Sequence, residues 1–474
     1  MTDDLNLFTG KLTFKDIDFT FVFNGEILRL IPPDNERDTI LFKWAMKEIV
    51  QGTSSSGDLM YVEEKTISGQ CNETNEKIVF IPNCNIPISF YNSDVIIGLF
   101  AYVVYKNNRQ TIDRISFSSP EINYIHPVNQ AFSLYLNTDD YINNGTVSLK
   151  TVNHDTTSTE KQTFFVDQKE ISVYFSITTT ISTSIDKPPL SANSCLMFEF
   201  EETTDYDFIL RLCRIAQNFV RFLCYRKNIF IPNVAISSPY AGGKHEEFAT
   251  MYILGQDGEC EYDVLKKGRY IKQIYFAGFE GRLLSEIAED NIYLRHLPDT
   301  YQSGLHKTAA RFVMITAAFE WEFHRLYPNG IKKSEGTINA ENQVIEEIEQ
   351  LIDSNTGKKK SIYKQLKRLV RSNSLESEIV QFGKDFSKTI DIFGKRLYSL
   401  NHVELNYSEI GKRVSTQRNH FAHGDLDKDF IGESLCDIVY MELMIYAMQL
   451  RHLGIDNVQI QRAINDLFQQ RIAI

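Results

Sequence analysis

The sequence predicts an α+β multidomain chain, with a β-rich, sandwich-like N-terminal region, a small α/β connector and a C-terminal all-α helical bundle. Three observations carry this reading. Residues 8–200 hold runs of β-branched and aromatic residues broken by Asn, Asp, Gly and Pro, the composition of strands and turns. Residues 205–226 then place apolar side chains at three- and four-residue spacing, which marks an amphipathic helix. From about residue 286 onward the helical spacing continues, punctuated by caps and turn dipeptides. The regions are therefore set at 1–190, 191–285 and 286–474, with the connector counted as part of the N-terminal region.

In chain order, strands are predicted within Leu12 to Phe23, Ile78 to Tyr91, Val95 to Tyr105 and Ile171 to Thr183. Strands spaced by turn signals in this way suggest a sandwich or a barrel-like sheet. A helix is expected around Ile40 to Gln51, where Trp44 sits. Phe208, Leu212, Ile215, Phe219 and Phe222 line one face of the helix over 205–226, flanked by strand-like segments at 196–200, 235–238 and 250–253. The C-terminal helices are predicted at 304–327, 340–354, 359–372, 375–400, 407–423, 430–453 and 457–471. Asn339 and Ser374 stand where N-caps belong. Asn329-Gly330 and Thr356-Gly357 separate elements, and Gly454 closes the long apolar helix.

Composition bounds the function. With 43% apolar and 24% charged residues the chain has ordinary globular usage. It has no apolar run long enough to span a bilayer. The opening MTDDLNLFTG lacks a basic-then-apolar stretch, so no signal peptide is expected. Fifty basic against 62 acidic residues give a formal charge of −12, which argues against non-specific coating of nucleic acid and leaves room for a local basic site. Seven widely spaced cysteines without a CxxC pair fit reduced thiols in a cytoplasmic protein rather than a disulfide framework or a zinc site. The N-x-[ST] sequons at Asn72, Asn144 and Asn406 carry no weight without a secretory signal.

Several motifs fail on inspection. Ala241 to His245 (AGGKH) has Ser238 where a P-loop needs its first glycine, and His245 where it needs Ser or Thr. Neither HExxH nor GxSxG occurs. The adjacent pairs Glu63-Glu64, Glu201-Glu202 and Glu246-Glu247 would point to opposite sides of a strand. One segment stands apart: Ser415 to Asp427, STQRNHFAHGDLD. Between Arg418 and Asp425 it gathers two histidines, an arginine, an amide and an acid. Cleaving an RNA phosphodiester needs a base for the 2′-hydroxyl, an acid for the departing 5′-oxygen and a fixed cation for the phosphate. Histidine suits the first two roles because its pKa lies near cellular pH. Arginine suits the third because its planar fork pairs with two phosphate oxygens. Such a set calls for no metal and no cofactor. The plainer alternative is a helix end with a histidine favoured by the macrodipole and Gly424 as cap.

Arg418-Asn419-x-x-x-His423 resembles the RNxxxH form of the Rx4-6H motif of HEPN domains. The FAHGDL after the Arg-Asn, the helical bundle, and the β-rich region before it together resemble ApeA-type abortive-infection proteins of bacteria. The resemblance implies a HEPN helical bundle acting as a metal-independent endoribonuclease in phage defence, on host or phage RNA that could include tRNA. It implies Arg418, Asn419 and His423 as catalytic residues, and it implies that HEPN domains pair with their motifs facing. His420 and Asp425 are candidate auxiliaries outside the family motif.

Geometry leads independently to the pairing question. Positions 418 and 423 are about 140° apart on a regular helix, so either the helix is broken there or a second copy supplies the missing half. Lys358, Lys359, Lys360, Lys364, Lys367, Arg368 and Arg371 form a cluster with no intervening acid and are the candidate RNA-binding residues. Glu320, Glu322 and His324 are groups that a bundle could bring to the motif. The expected partners are thus an RNA substrate, a second copy in a homodimer or higher even-numbered oligomer, and a phage-derived trigger sensed by the N-terminal region; no membrane is expected. The competing readings are a non-catalytic HEPN-like scaffold for dimerisation and RNA binding, and a carbohydrate-binding β-sandwich. The two tryptophans, Trp44 and Trp321, offer little for sugar stacking.

Overall fold

The structure, a computed structural model, describes residues 7–474 apart from 46–47, 51–52, 56–60, 136, 146–147, 153–156, 187, 189, 256–257, 332–333, 372–373 and 425–429. The chain forms two compact units, Met1–Lys266 with Ala277–Glu289, and Lys267–Phe276 with Asp290–Ile474. No helix among the described residues is long and apolar enough to cross a membrane.

The first unit is built on one antiparallel sheet of thirteen strands. They are β1 (Phe8–Phe14), β2 (Ile17–Phe23), β3 (Ile27–Ile31), β4 (Ile67–Cys71), β5 (Lys77–Pro82), β6 (Ser89–Tyr91), β7 (Asp94–Tyr105), β8 (Ile112–Ser118), β9 (Gln162–Val166), β10 (Lys169–Ile181), β11 (Leu190–Thr203), β12 (Val234–Tyr240) and β13 (Lys244–Ile253). The run predicted at 12–23 is a hairpin rather than a single strand. Lys15 and Asp16, at φ 49° and 62°, form a two-residue turn of the kind whose twist matches the right-handed twist of the flanking strands.

Strand β7 organises the sheet. Its residues 95–98 pair with β3, while residues farther along pair with β5 and with β13. The order β7-β3-β2-β1-β4-β5 therefore returns to β7 and closes a six-stranded barrel. The sheet continues from β7 through β13, β12, β8, β11 and β10 to β9. The strands of the segment 191–285, which end at Ile253, thus lie within this sheet, whereas residues 267–276 of that segment belong to the second unit.

Aromatic side chains fill the barrel. Phe21 and Phe23 both meet Phe80 at 5.3 Å between ring centroids, and Phe23 meets Tyr102 at 4.7 Å, edge-on as aromatic quadrupoles prefer. The Phe21 ring leaves no room at Gly10, where a Cβ would stand 2.5 Å from it. The helix expected at 40–51 is only a π-helical turn, Thr39–Ala45, that buries Trp44 against Phe14 and Phe19. Residues 48–50 are extended and pair with 53–55. The helix over 205–226 is α2 (Tyr206–Cys224), after a short α1 (Pro120–Ile125). Asp205 caps α2 by accepting from the Asp207 and Phe208 amides, and Phe208 and Phe219 pack onto sheet residues Phe200 and Phe175. Helix α3 (Glu280–Ala288) packs on β9, where Gly281 lies so close to the Thr163 carbonyl that a Cβ would approach it to 2.4 Å.

The second unit is helical: α4 (Ala309–Leu326), α5 (Glu335–Ser354), α6 (Gly357–Arg371), α7 (Leu375–Ser399), α8 (Tyr407–Ala422), α9 (Ser434–His452) and α10 (Asn457–Leu467). Helices α4, α7, α8 and α9 pack on one another, α10 lies against α7 and α9, and α5 and α6 pack chiefly on each other. The helix predicted at 304–327 is two, because the Thr308 hydroxyl accepts the Arg311 amide and starts α4 afresh after the short helix Tyr301–Leu305. Asn339 lies inside α5 and is not its cap. Ser334 accepts the Thr337 amide and begins the helix five residues earlier. Ser374 caps α7 with a reciprocal bond to Ser377, and Gly454, at φ 91°, follows α9.

His126 gives the first unit a pH dependence. Its ring is buried, stacks on Phe175 at 5.4 Å, and holds Nδ1 2.7 Å from the Ser194 hydroxyl. Burial pushes its pKa down to about 4. Between that value and the ordinary value of about 6.5 the unfolded chain binds a proton that the folded chain refuses. The stabilisation is therefore complete above pH 6.5 and is lost as pH falls toward 4, by roughly 3 kcal/mol in all. The urea midpoint of this unit should fall over that window in the wild type and fall less in a His126→Gln variant. Identical slopes for the two proteins would show that His126 titrates normally.

Candidate active site

The motif lies at the end of α8, so the packing of α8 decides its geometry. Asn406 starts the helix by accepting the Ser408 and Glu409 amides. Ile410, Val414, Gln417 and Phe421 recur at three- and four-residue spacing and are buried. Phe421 meets Phe312 of α4 at 5.6 Å and Phe430 at 5.4 Å. The Gln417 side-chain oxygen accepts the Ile431 amide at 2.7 Å, which ties the chain beyond the motif back to the helix that carries it.

Ion pairs and close helix contacts fix the rest. Arg413 of α8 forks onto Asp437 of α9, with Nε–Oδ2 and Nη2–Oδ1 both 2.8 Å, and the Tyr398 hydroxyl of α7 donates to the same carboxylate. Asp437 is fully buried in the first turn of α9. Burial pushes its carboxyl up, and the bonds from Arg413 and Tyr398 pull it back. Arg311 and Lys307 hold Glu442 of α9 at 2.6 and 2.8 Å. Two helical glycines bring the backbones together: a Cβ at Gly383 would stand 2.4 Å from the Tyr407 ring, and one at Gly394 would stand 2.6 Å from Tyr440. The hydroxyls of those two tyrosines lie 2.9 Å apart, and Tyr407 also donates to Asp391 at 2.6 Å.

The consequence is an α8 that runs unbroken from Tyr407 to Ala422. His423 follows as its C-cap at φ −90°, ψ 4°, with its amide bonded to the Asn419 carbonyl at 3.1 Å. Gly424, at φ 96°, takes the left-handed position after it. Of the two geometric alternatives, a broken helix is therefore not what the structure contains. Arg418 borders the buried face on the α4 side, where its Nη2 lies 3.5 Å from Glu320 Oε2. Asn419 and His423 are exposed, and His420 is half-buried. Arg418 and His423 thus face different directions from one helix, about 140° apart. Asp425 lies outside the described residues.

Around Arg418 the bundle adds groups of its own. Glu320 and His324 share a face of α4 at i and i+4. His324 Nε2 lies 2.9 Å from Glu378 Oε1 in the first turn of α7. Burial pushes the Glu378 carboxyl up, His324 draws it down, and the charge on Glu320 raises it further. Glu322, the third group flagged on this helix, points into the core instead. It accepts the Tyr293 amide and the Gln449 side chain, both at 2.9 Å, and binds Arg325 at 2.6 Å. Nothing local to Glu378 points to this contact beyond its being an acid in a first helical turn.

The basic cluster lies elsewhere in the unit. Lys358, Lys359, Lys360, Lys364, Lys367, Arg368 and Arg371 all fall on α6. Lys367 pairs with Glu349 of α5. Lys364, Lys367 and Arg368, with Glu349, Ile352 and Asp353, line a hollow of about 500 Å³ between the two helices. Among the described residues no group of His, Cys, Asp and Glu could hold a metal ion.

A helical bundle with an RN-x-x-x-H sequence closing one of its packed helices defines the class. Residues 313–459 match the Apea-like HEPN family, so the C-terminal region carries an Apea-like HEPN domain. The match runs from α4 to the start of α10 and includes the motif. No curated protein and no solved structure matches the chain significantly.

The close approach of α7 to α9 should be sensitive to one methyl group. Gly394→Ala forces the Tyr440 ring aside and should cost about 1–3 kcal/mol, as overpacking does. The loss would be read as a lower denaturation midpoint of the helical unit, whereas an unchanged midpoint would mean that the α7–α9 contact is looser than described.

Proposed function

We propose that the chain is an anti-phage abortive-infection effector whose HEPN domain is a metal-independent endoribonuclease, acting in the cytoplasm on host or phage RNA and gated by the β-rich N-terminal region. The observation that carries this is the placement of Arg418 and His423 at the accessible end of α8, inside the segment that matches the HEPN family. The 2′-oxygen would attack phosphorus, losing its proton to a histidine, while the 5′-oxygen leaves and takes a proton. Arg418 would pair with the phosphate oxygens as negative charge builds on them.

The electrostatics support that use of Arg418. Its pair with Glu320 is long and partly exposed, and such pairs are worth only about 0–1 kcal/mol. A phosphate could take the guanidinium from Glu320 at little cost. The scaffold reading gives Arg418 no role beyond this weak pair and gives His423 none. Because α8 is unbroken, a complete site built from Arg418 and His423 would take one residue from each of two copies, with Asn419 beside them and His420 and Asp425 as auxiliaries. The lysines and arginines of α6 are the candidate hold on the RNA backbone. A free cytoplasmic ribonuclease would harm its own cell, so the large N-terminal region is the natural place for restraint and for sensing a phage-derived trigger.

The test is cleavage of total cellular RNA by purified full-length protein in EDTA. Products should end in 2′,3′-cyclic phosphate or 3′-phosphate, and DNA should be inert because it lacks the 2′-hydroxyl. His423→Ala should lower the rate by roughly 10²–10⁴, the usual cost of a missing acid or base, while the protein stays folded. Products with 5′-phosphate ends, or a folded His423→Ala protein with full activity, would overturn the assignment.

A further inference from the structure

Three buried acids of the bundle have both carboxylate oxygens occupied. Asp437 takes Arg413 and Tyr398, Glu442 takes Lys307 and Arg311, and Glu322 takes Arg325, Gln449 and the Tyr293 amide. Glu378 is different. Its side chain is 3% exposed, and its Oε1 meets the ring of His324, whose side chain is 61% exposed. Among the described residues its Oε2 has no hydrogen-bond partner. A buried carboxylate held by one exposed partner stabilises a fold poorly. It does fix the orientation of an exposed imidazole, and its place in the first turn of α7 favours its charge. The ring stands at the Arg418 edge. Glu320 and His324 are four residues apart on α4, which makes their Cβ atoms neighbours at about 5–6 Å. Glu320 reaches Arg418 at 3.5 Å, and its charge acts on Glu378. Groups from α4, α7 and α8 thus form one cluster, and a phosphate that takes Arg418 from Glu320 stands beside His324.

We infer that His324 is the catalytic base of the candidate ribonuclease site, with Glu378 as its positioning residue. The inference rests on the ribonuclease reading and supplies what that reading lacks. Cleavage needs a base and an acid in one step, and His423 can serve as only one of them. An ionised Glu378 accepts from the His324 Nε2–H, which leaves the lone pair on Nδ1. Nδ1 takes the 2′-hydroxyl proton as the bond from O2′ to phosphorus forms. The bond from phosphorus to O5′ breaks, and His423 gives O5′ its proton. The products are a 2′,3′-cyclic phosphate and a 5′-hydroxyl, with no other reactant consumed. His324 and Arg418 belong to one edge of one chain, so α8 need not break to bring them to the same phosphate.

In the test, the full-length wild type and its His324→Gln and His423→Ala variants cleave an RNA oligonucleotide with either the ordinary linkage or sulfur in place of O5′ at the cleaved bond. A thiolate leaves without a proton, so the sulfur substrate needs a base and no acid. Because His324 is exposed, its variant should fold, and circular dichroism checks that it does. On the ordinary linkage His324→Gln should lower kcat by about 10²–10⁴-fold, with KM little changed. The sulfur substrate should restore cleavage to His423→Ala and not to His324→Gln. Glu378→Gln should follow His324→Gln with a smaller loss of kcat. A folded His324→Gln variant with wild-type kcat, or one that recovers on the sulfur substrate, would overturn this inference and leave the ribonuclease reading standing. A wild type that cleaves neither substrate would overturn both.

Discussion

Everything at the candidate site follows from α8 being held straight. Its buried face is locked by Phe421 against Phe312 and Phe430, and its middle by the Arg413–Asp437 fork. The Gln417–Ile431 bond holds its end. A buried carboxylate is costly unless paired and hydrogen-bonded, and Asp437 meets that requirement only while α7, α8 and α9 stay together. The helix is regular from position 418 to its end at Ala422, with His423 as its C-cap. Two groups suited to one phosphate remain on different sides of the same cylinder.

The groups nearest Arg418 differ in kind from those that hold the bundle. Asp437, Glu442 and Glu322 sit in the core with short, multiple partners. Glu320 meets Arg418 at 3.5 Å in partly exposed surroundings. His324 is largely exposed, although its partner Glu378 is buried. Tight pairing in the core gives rigidity, and loose pairing at the rim leaves a cation that can change partners. Under the proposed function, Glu320 would be the group that Arg418 leaves when it pairs with a phosphate.

Much of this was legible in the sequence. The C-terminal helices follow from apolar spacing, from Ser374 as a cap with Ser377 behind it, and from Gly454 as a stop. The signals failed where short-range competition decided the outcome. Ser334 outcompetes Asn339 for the start of α5 because a side-chain oxygen three residues before a free amide suffices. Thr308 splits a periodic run that reads as one helix. In the first unit, strand composition was plain, but the closure of six strands through β7 depends on pairings between residues far apart, such as Ile78 with Val104, which no local pattern encodes. The motif itself was visible from residue types alone. Glu378 was not, because only the packing of α7 on α4 brings it to His324.

The proposal at the centre of this reading is that Arg418 and His423, held apart by an unbroken α8, act from different chains. Mixing the two inactive single variants, Arg418→Ala and His423→Ala, tests it most directly. Each homodimer lacks one kind of residue in both sites, while a mixed dimer has one site with both wild-type residues and one with neither. Ribonuclease activity should therefore reappear on mixing and exchange, at about half the wild-type level per mixed dimer, by random assortment in a symmetric pair. No recovery at any ratio, with wild-type activity that stays linear in concentration down to a monomeric protein, would contradict the account.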